Sequence, residues 1–201
     1  MHKKGTQKTE MEHRVLAIDL DGTLLSKFKR ISKTDLIAIK AYVQAGGLPI
    51  ITTGRSIVSA KEYTNIIDNF TGSKSNFIVA FNGSYIYNVE TQQTISYKVP
   101  NDLCHTLYDY CKAHKISLWA YTEESLARKS VHVTKHWLNA FAGLNKKLNI
   151  MPLNDNVKDM SSFKLNILSF HTKKIKAAYE WLTSKFKNKL NISFSHKSLL
   201  E

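Results

Sequence analysis

The chain has 201 residues, 43% of them hydrophobic, which suits one large domain or two small ones with a packed core. No apolar run approaches the roughly 20 residues of a membrane span, and the opening MHKKGTQKTE is polar throughout, so neither a membrane span nor a signal peptide is expected and a cytoplasmic protein is. The net charge of +13 admits an anionic partner, but only four of the 29 basic residues are Arg and they form no block, so nucleic acid is the weaker choice beside a small phosphorylated metabolite.

Residues 1–13 read as a disordered tail. From residue 14 to 79 the pattern is strand, helix, strand, helix, strand. Val15–Leu20 is apolar except at Asp19. Ser32 can cap a helix, with Asp35 three residues on, and Leu36, Ile39 and Val43 then share a helical face that Gly46-Gly47 ends. Leu48–Ile51 is a second apolar strand, Ile57, Ala60, Tyr63 and Ile67 stripe a second helix, and Phe77–Phe81 is a third strand. Solidly apolar strands alternating with helices predict a Rossmann-like parallel α/β sheet covered on both faces.

The style changes near Asn88. Ser84–Asn88 and Thr94–Val99 read as a hairpin, and Leu103, Leu107, Tyr110 and His114 mark a helix. Cys104 and Cys111 sit seven apart in it, roughly 10 Å by helix rise, too far for a disulfide. Ile116–Thr122 is a strand, Leu126–Val131 a partner for it, and Thr134–Gly143 a helix carrying Trp137, Leu138 and Phe141. Phe163, Leu165 and Ile167 alternate with polar residues as in a half-buried strand, a helix follows with Ile175, Ala178, Leu182 and Phe186, and Ile192 and Phe194 close in a last strand. This is α+β patterning around an antiparallel sheet. The expected organisation is a core over 14–87 and an α+β domain over 88–201.

In an open parallel sheet, ligands bind at the carboxyl ends of the strands. Those ends here are Asp19-Leu20-Asp21-Gly22-Thr23, Thr52-Thr53-Gly54-Arg55 and Asn82-Gly83. Side chains two apart share a face of an extended chain, so Asp19 and Asp21 are expected to point together. Adjacent carboxylates call for a cation between them, and such oxygen donors suit Mg²⁺. One carboxylate as nucleophile and the other as proton shuttle is the division that phosphoryl transfer through a covalent intermediate requires. Backbone N–H groups at the start of the second helix favour a phosphate beside Thr53.

The order DLDGTLL, TTGR, FNGSYIYN resembles the haloacid-dehalogenase-like (HAD) phosphatase superfamily, and within it the Cof-like type IIB hydrolases, over the chain from Met11 to Glu201. The resemblance implies an α/β HAD core with an inserted α+β cap over residues 88–201 that closes over the substrate and chooses it. It implies that Asp19 attacks phosphorus to form an aspartyl-phosphate, and that Asp21 protonates the leaving group and then activates water. Thr53 holds the phosphoryl oxygens, while Gly54, Arg55, Asn82 and Gly83 line the site. Mg²⁺ is held by Asp19, by the backbone carbonyl of Asp21, and by a later acidic residue.

The family's later motifs, a lysine just after the cap and a GDxxND-like loop, are absent. Lys197 comes too early, and NDNVKD at 154–159 lacks the glycine and the preceding strand. The chain therefore reads as truncated before the C-terminal core motifs, with Val15–Leu20 as an exposed apolar edge open to self-association. Its expected function is Mg²⁺-dependent hydrolysis of phosphomonoesters. The alternatives are a catalytically silent remnant that binds phosphate or metal and, more remotely, a basic nucleic-acid-binding protein. His132 and His136 have the i, i+4 spacing of metal ligands but begin in a strand and read as structural. Trp119, Trp137, Tyr121 and Phe141 are expected in the core of the second domain.

Overall fold

The computed structural model describes residues 15–134, 149–187 and 189–201. The expected tail, the expected helix with Trp137, Leu138 and Phe141, and His136 lie outside the described residues. The chain divides into two compact units between residues 95 and 96.

The first unit is built on a five-stranded sheet in the order β1-β2-β3-β4-β5. Its strands are β1 (Val15–Ile18), β2 (Leu48–Thr52), β3 (Phe77–Ala80), β4 (Tyr85–Asn88) and β5 (Thr94–Ser96). The first three are parallel, and β4 returns antiparallel to β3. The hairpin of β4 and β5, divided at residue 88 in the sequence reading, lies wholly in this sheet. Helix α1 (Lys33–Gln44) starts where Ser32 predicts. The Ser32 hydroxyl oxygen accepts from the Asp35 N–H at 3.0 Å, and the hydroxyl donates to the Asp35 carboxylate at 2.7 Å. Helix α2 (Ile57–Thr71) is capped by Ser56 and stops at Gly72, whose φ of +77° closes the last turn.

Helices α1 and α2 pack against each other. Successive right-handed crossovers in a 1-2-3 strand order put both helices on one face. The expected cover on both faces is therefore found on one face among the described residues. Strand β1 is the sheet edge, with Val15 58% and Leu16 41% exposed. The expected apolar edge is thus present at Val15 and Leu16, while Ile18 and Leu20 of the same run are buried.

The second unit has a six-stranded sheet, order β10-β11-β9-β6-β7-β8. These are β6 (Ser117–Thr122), β7 (Ser130–Thr134), β8 (Asn149–Leu153), β9 (Ser162–Leu168), β10 (Phe194–His196) and β11 (Leu199–Leu200). All pairings are antiparallel except β7 with β8. Helices α3 (Asn101–His114) and α5 (Thr172–Lys185) bury Cys104, Leu107 and Cys111, and Ile175, Ala178 and Leu182, against Leu118, Ala120, Leu165 and Ile167. Both cysteines are free, and burial pushes each thiol up to about 12.

Two expectations are corrected in this unit. Glu123–Ala127, whose last residues were expected to open a strand, forms the short helix α4, because Thr122 and Ser125 exchange side-chain and backbone hydrogen bonds as a capping box. The strand that pairs with β6 is Ser130–Thr134. Trp119 and Tyr121, expected in the core, are half-buried. The two-residue period of β6 turns them to the face opposite Leu118 and Ala120, and they stand outside the core cluster.

Candidate active site

The pairing of the first sheet brings the three polar strand ends to one rim. Ile18 pairs with Ile51 and Thr52 with Val79, so Asp19, Thr53 and the turn after Ala80 follow at the carboxyl ends of adjacent strands. Loop bonds lock the ends together. The Thr53 N–H donates to the Val79 carbonyl at 2.9 Å, the Asn82 N–H to the Thr53 carbonyl at 3.1 Å, and the Phe81 N–H to the Arg55 carbonyl at 2.9 Å. Phe81 and Asn82 both adopt left-handed backbone (φ 50° and 55°), followed by Gly83 at 95°. Such conformations cost of order 1–3 kcal/mol at a residue with a side chain. The buried Phe81 ring, 1% exposed, and the two loop bonds hold them. Asn82 is exposed beyond that turn, and Gly54 is half-buried between Thr53 and Arg55.

The two aspartates do not share an environment. The strand ends at Ile18, and the chain turns at Leu20 and Gly22, where φ is +81°. The turn is closed by Leu24 N–H to the Asp19 carbonyl at 3.2 Å and Leu25 N–H to the Leu20 carbonyl at 2.8 Å. The shared-face expectation needs an extended chain, and the turn removes it. Asp19 is half-buried, and among the described residues its carboxylate has no hydrogen-bond or ion-pair partner. Asp21 is gripped. Arg55 Nε and Nη2 donate to its two oxygens at 2.6 and 2.7 Å, and Lys29 Nζ donates to Oδ1 at 2.6 Å. The Arg55 hydrogen bonds, aided by Lys29, hold the Asp21 carboxyl well below the usual carboxylate range, against the opposing effect of partial burial. The same bonds raise the Arg55 pKa.

Two participants were not found by sequence reasoning. Lys29 reaches Asp21 through a tight turn. Ser26 and Arg30 pair across it, and Lys29 itself is left-handed at φ 56°. Tyr63, read only as part of the α2 stripe, donates its hydroxyl to the Lys29 carbonyl at 3.2 Å and accepts from Arg55 Nη1 at 3.4 Å. The Arg55 guanidinium also lies 5.3 Å from the Tyr63 ring centre. The only sequence signal for Lys29 is its place in the basic turn Lys27–Arg30 just after the aspartates.

Thr53 is 5% exposed, and its hydroxyl oxygen accepts from the Arg55 N–H at 3.2 Å, which leaves the hydroxyl proton to donate. The donors suited to a metal are the Asp19 carboxylate and main-chain oxygens of the same loop, a hard-oxygen set that fits Mg²⁺, which keeps several waters. No group of three His, Cys, Asp or Glu side chains able to hold a metal occurs among the described residues.

In the second unit, His132 is 2% exposed and Nδ1 lies 3.0 Å from the Thr122 hydroxyl, while Nε2 is 3.9 Å from Glu124. It is a core histidine. Burial lowers its pKa, opposed by Glu124 and aided by Arg128. Asp155 of the NDNVKD stretch is paired on the surface with Lys112.

The chain is similar to known proteins. The profile of the family described as haloacid dehalogenase-like hydrolase matches residues 16–201. The Mycoplasma genitalium protein MG125 is 24% identical over 93% of this chain and 68% of its own length. The Bacillus subtilis 5-amino-6-(5-phospho-D-ribitylamino)uracil phosphatase YcsE is 27% identical over 67% of this chain and 53% of its own. A haloacid dehalogenase-like hydrolase from Bacteroides thetaiotaomicron superposes with TM-score 0.74 at 22% identity, covering 94% of this chain and 70% of that one. The chain thus spans about half to two thirds of these relatives' lengths.

Proposed function

Because this chain belongs to the haloacid dehalogenase-like hydrolase family, of the Cof-like kind, we propose that it hydrolyses phosphate monoesters of small metabolites at the rim of its first sheet. The observation that carries this reading is the asymmetry of the two aspartates. Among the described residues Asp19 has an unengaged carboxylate at the end of β1, while Asp21 two residues on is surrounded by cations. An unengaged carboxylate beside cationic groups is suited to attack a phosphate ester.

In this reading an Asp19 oxygen bonds to phosphorus as the ester P–O bond breaks, giving an aspartyl-phosphate and an alcohol. The alcohol oxygen takes its proton from Asp21. Water then attacks the phosphorus, its proton passes to Asp21, and the P–O bond to Asp19 breaks to release phosphate. Thr53 donates its hydroxyl to a phosphoryl oxygen, and Arg55 faces the same charge. Gly54 lets the backbone approach, and Asn82 and Gly83 border the ester's leaving side. Asp19 and the Asp21 carbonyl would hold Mg²⁺, whose chemistry is to offset the charge of the phosphoryl oxygens.

A second reading, binding of phosphate or metal without turnover, is favoured by the engagement of Asp21, since a carboxylate held by two cations resists protonation. Phosphate release from small phosphomonoesters, with and without Mg²⁺, separates the two. Metal-dependent release that drops at least about 10³-fold in Asp19→Asn supports hydrolysis. Release equal in the native chain and the variant leaves binding alone. YcsE is named for a ribitylamino-uracil phosphate, which makes sugar-alcohol phosphates the first esters to try.

A further inference from the structure

We propose that Lys29 and Arg55 form one anion seat for the substrate's phosphate, and that the carboxylate of Asp21 fills this seat when no phosphate is bound. The identity of the anion rests on the phosphatase reading; the existence of the seat does not.

The geometry is that of a built site. The Arg55 fork meets both Asp21 oxygens at 2.6 and 2.7 Å, the arrangement in which a guanidinium accepts a carboxylate or a phosphate alike. Lys29 adds a second cation at 2.6 Å. Neither cation is there by chance of a long side chain. Tyr63 ties them together, donating to the Lys29 carbonyl and accepting from Arg55 Nη1, while Ser59 Oγ lies 3.3 Å from the same nitrogen. The Lys29 turn is fixed by the Ser26 and Arg30 pairing and by the Leu25 and Ile31 bridge. The result is a ring of contacts running from Asp21 to Arg55, Tyr63, Lys29 and back.

Charge then decides the occupant. Two cations face one carboxylate, so the seat is half-compensated by Asp21. A phosphate group near neutral pH carries about −1.5 to −2 and matches it more fully. Exchange requires no unfolding, because the Asp21 side chain is 42% and the Lys29 side chain 59% exposed. When phosphate takes the two cations, the Asp21 carboxylate leaves them. Tyr63 is a positioning residue, acting through Arg55 and Lys29.

The test is calorimetric titration of the full chain with inorganic phosphate, metal-free, at low salt and neutral pH. Asp21→Asn removes the resident charge and should tighten phosphate binding about tenfold. Lys29→Met should weaken it by about tenfold, and Lys29→Arg should restore it. Tyr63→Phe should weaken it by a smaller factor, with Tm showing that each variant is folded. Unchanged or weaker phosphate binding in Asp21→Asn overturns the seat, as does unchanged binding in Lys29→Met. These are equilibrium readings without turnover. A chain that releases no phosphate from esters would sink the hydrolase reading while leaving the order of these affinities intact.

Discussion

The two units handle their polar side chains in opposite ways. In the first, Asp21 and Arg55 stand beyond strand ends and Lys29 in a nearby turn, with side-chain exposures of 42%, 24% and 59%. In the second, Thr122, Ser125, Ser130 and His132 are buried at and beside α4 and bond to one another or to the local backbone. A polar group in contact with water can exchange one partner for another at little cost. A sealed one cannot, since losing a buried partner costs about 1–3 kcal/mol. Open networks are where chemistry is available, and closed ones specify a fold.

The contrast can be broken most severely at the second unit's core. Leu182 is 2% exposed in the α5 stripe, and Leu182→Ala should cost about 2–5 kcal/mol. Trp119 and Trp181 lie in the second unit, and residues 1–95 contain no tryptophan. Denaturant unfolding followed by tryptophan fluorescence therefore reads this loss directly, and a shift below about 1 kcal/mol would show that the stripe is not a tightly packed core.

Acid titration sharpens the same comparison with a smaller effect. His132 is held below its ordinary 6.5 by burial, so the folded state resists a proton that the unfolded state accepts. Its contribution is whole above pH 6.5 and is lost as the pH falls below it. Asp21 is held below its ordinary 3.8, so its contribution is whole above 3.8 and is lost only as the pH falls further. Tryptophan-detected stability should start to decline as the pH falls below 6.5, and His132→Gln should flatten that decline. A slope unchanged by the substitution would assign it to other groups. The Asp21 loss should appear in far-UV circular dichroism only below pH 4.

The smallest effect is at α1. Ser32→Ala removes the N-cap that accepts from Asp35 and should cost about 1 kcal/mol. Faster amide exchange confined to the first turn of α1 would report it. Exchange that stays at its original rate would mean that packing of α1 on α2 outweighs the cap.

Much of this was legible in the sequence for identifiable reasons. Ser32 with Asp35, and the α2 and α5 stripes, are local patterns, because a helix places i, i+3 and i+4 together whatever surrounds it. The rim of Asp19, Thr53 and Asn82 was legible because parallel strands with crossover helices must align their carboxyl ends. The helix over Glu123–Ala127 was missed because a two-residue exchange of hydrogen bonds at Thr122 and Ser125 overrode a weak strand signal. The bare edge of β1 was legible from the missing later core strands, whereas the one-sided helix cover was not, because an apolar run does not say what lies against each of its faces.

The sequence by itself determined the alternation of strands and helices in residues 15–80 and the residues gathered at the rim, since these follow from spacing along one chain. Only the tertiary structure decided that Asp19 stands unengaged while Asp21 is held. That difference depends on Arg55, 34 residues away, and on Tyr63 fixing the Lys29 turn. Charges so distant in sequence meet only after the strands have paired, and the energy of their meeting depends on distances of a few ångströms that no spacing along the chain encodes.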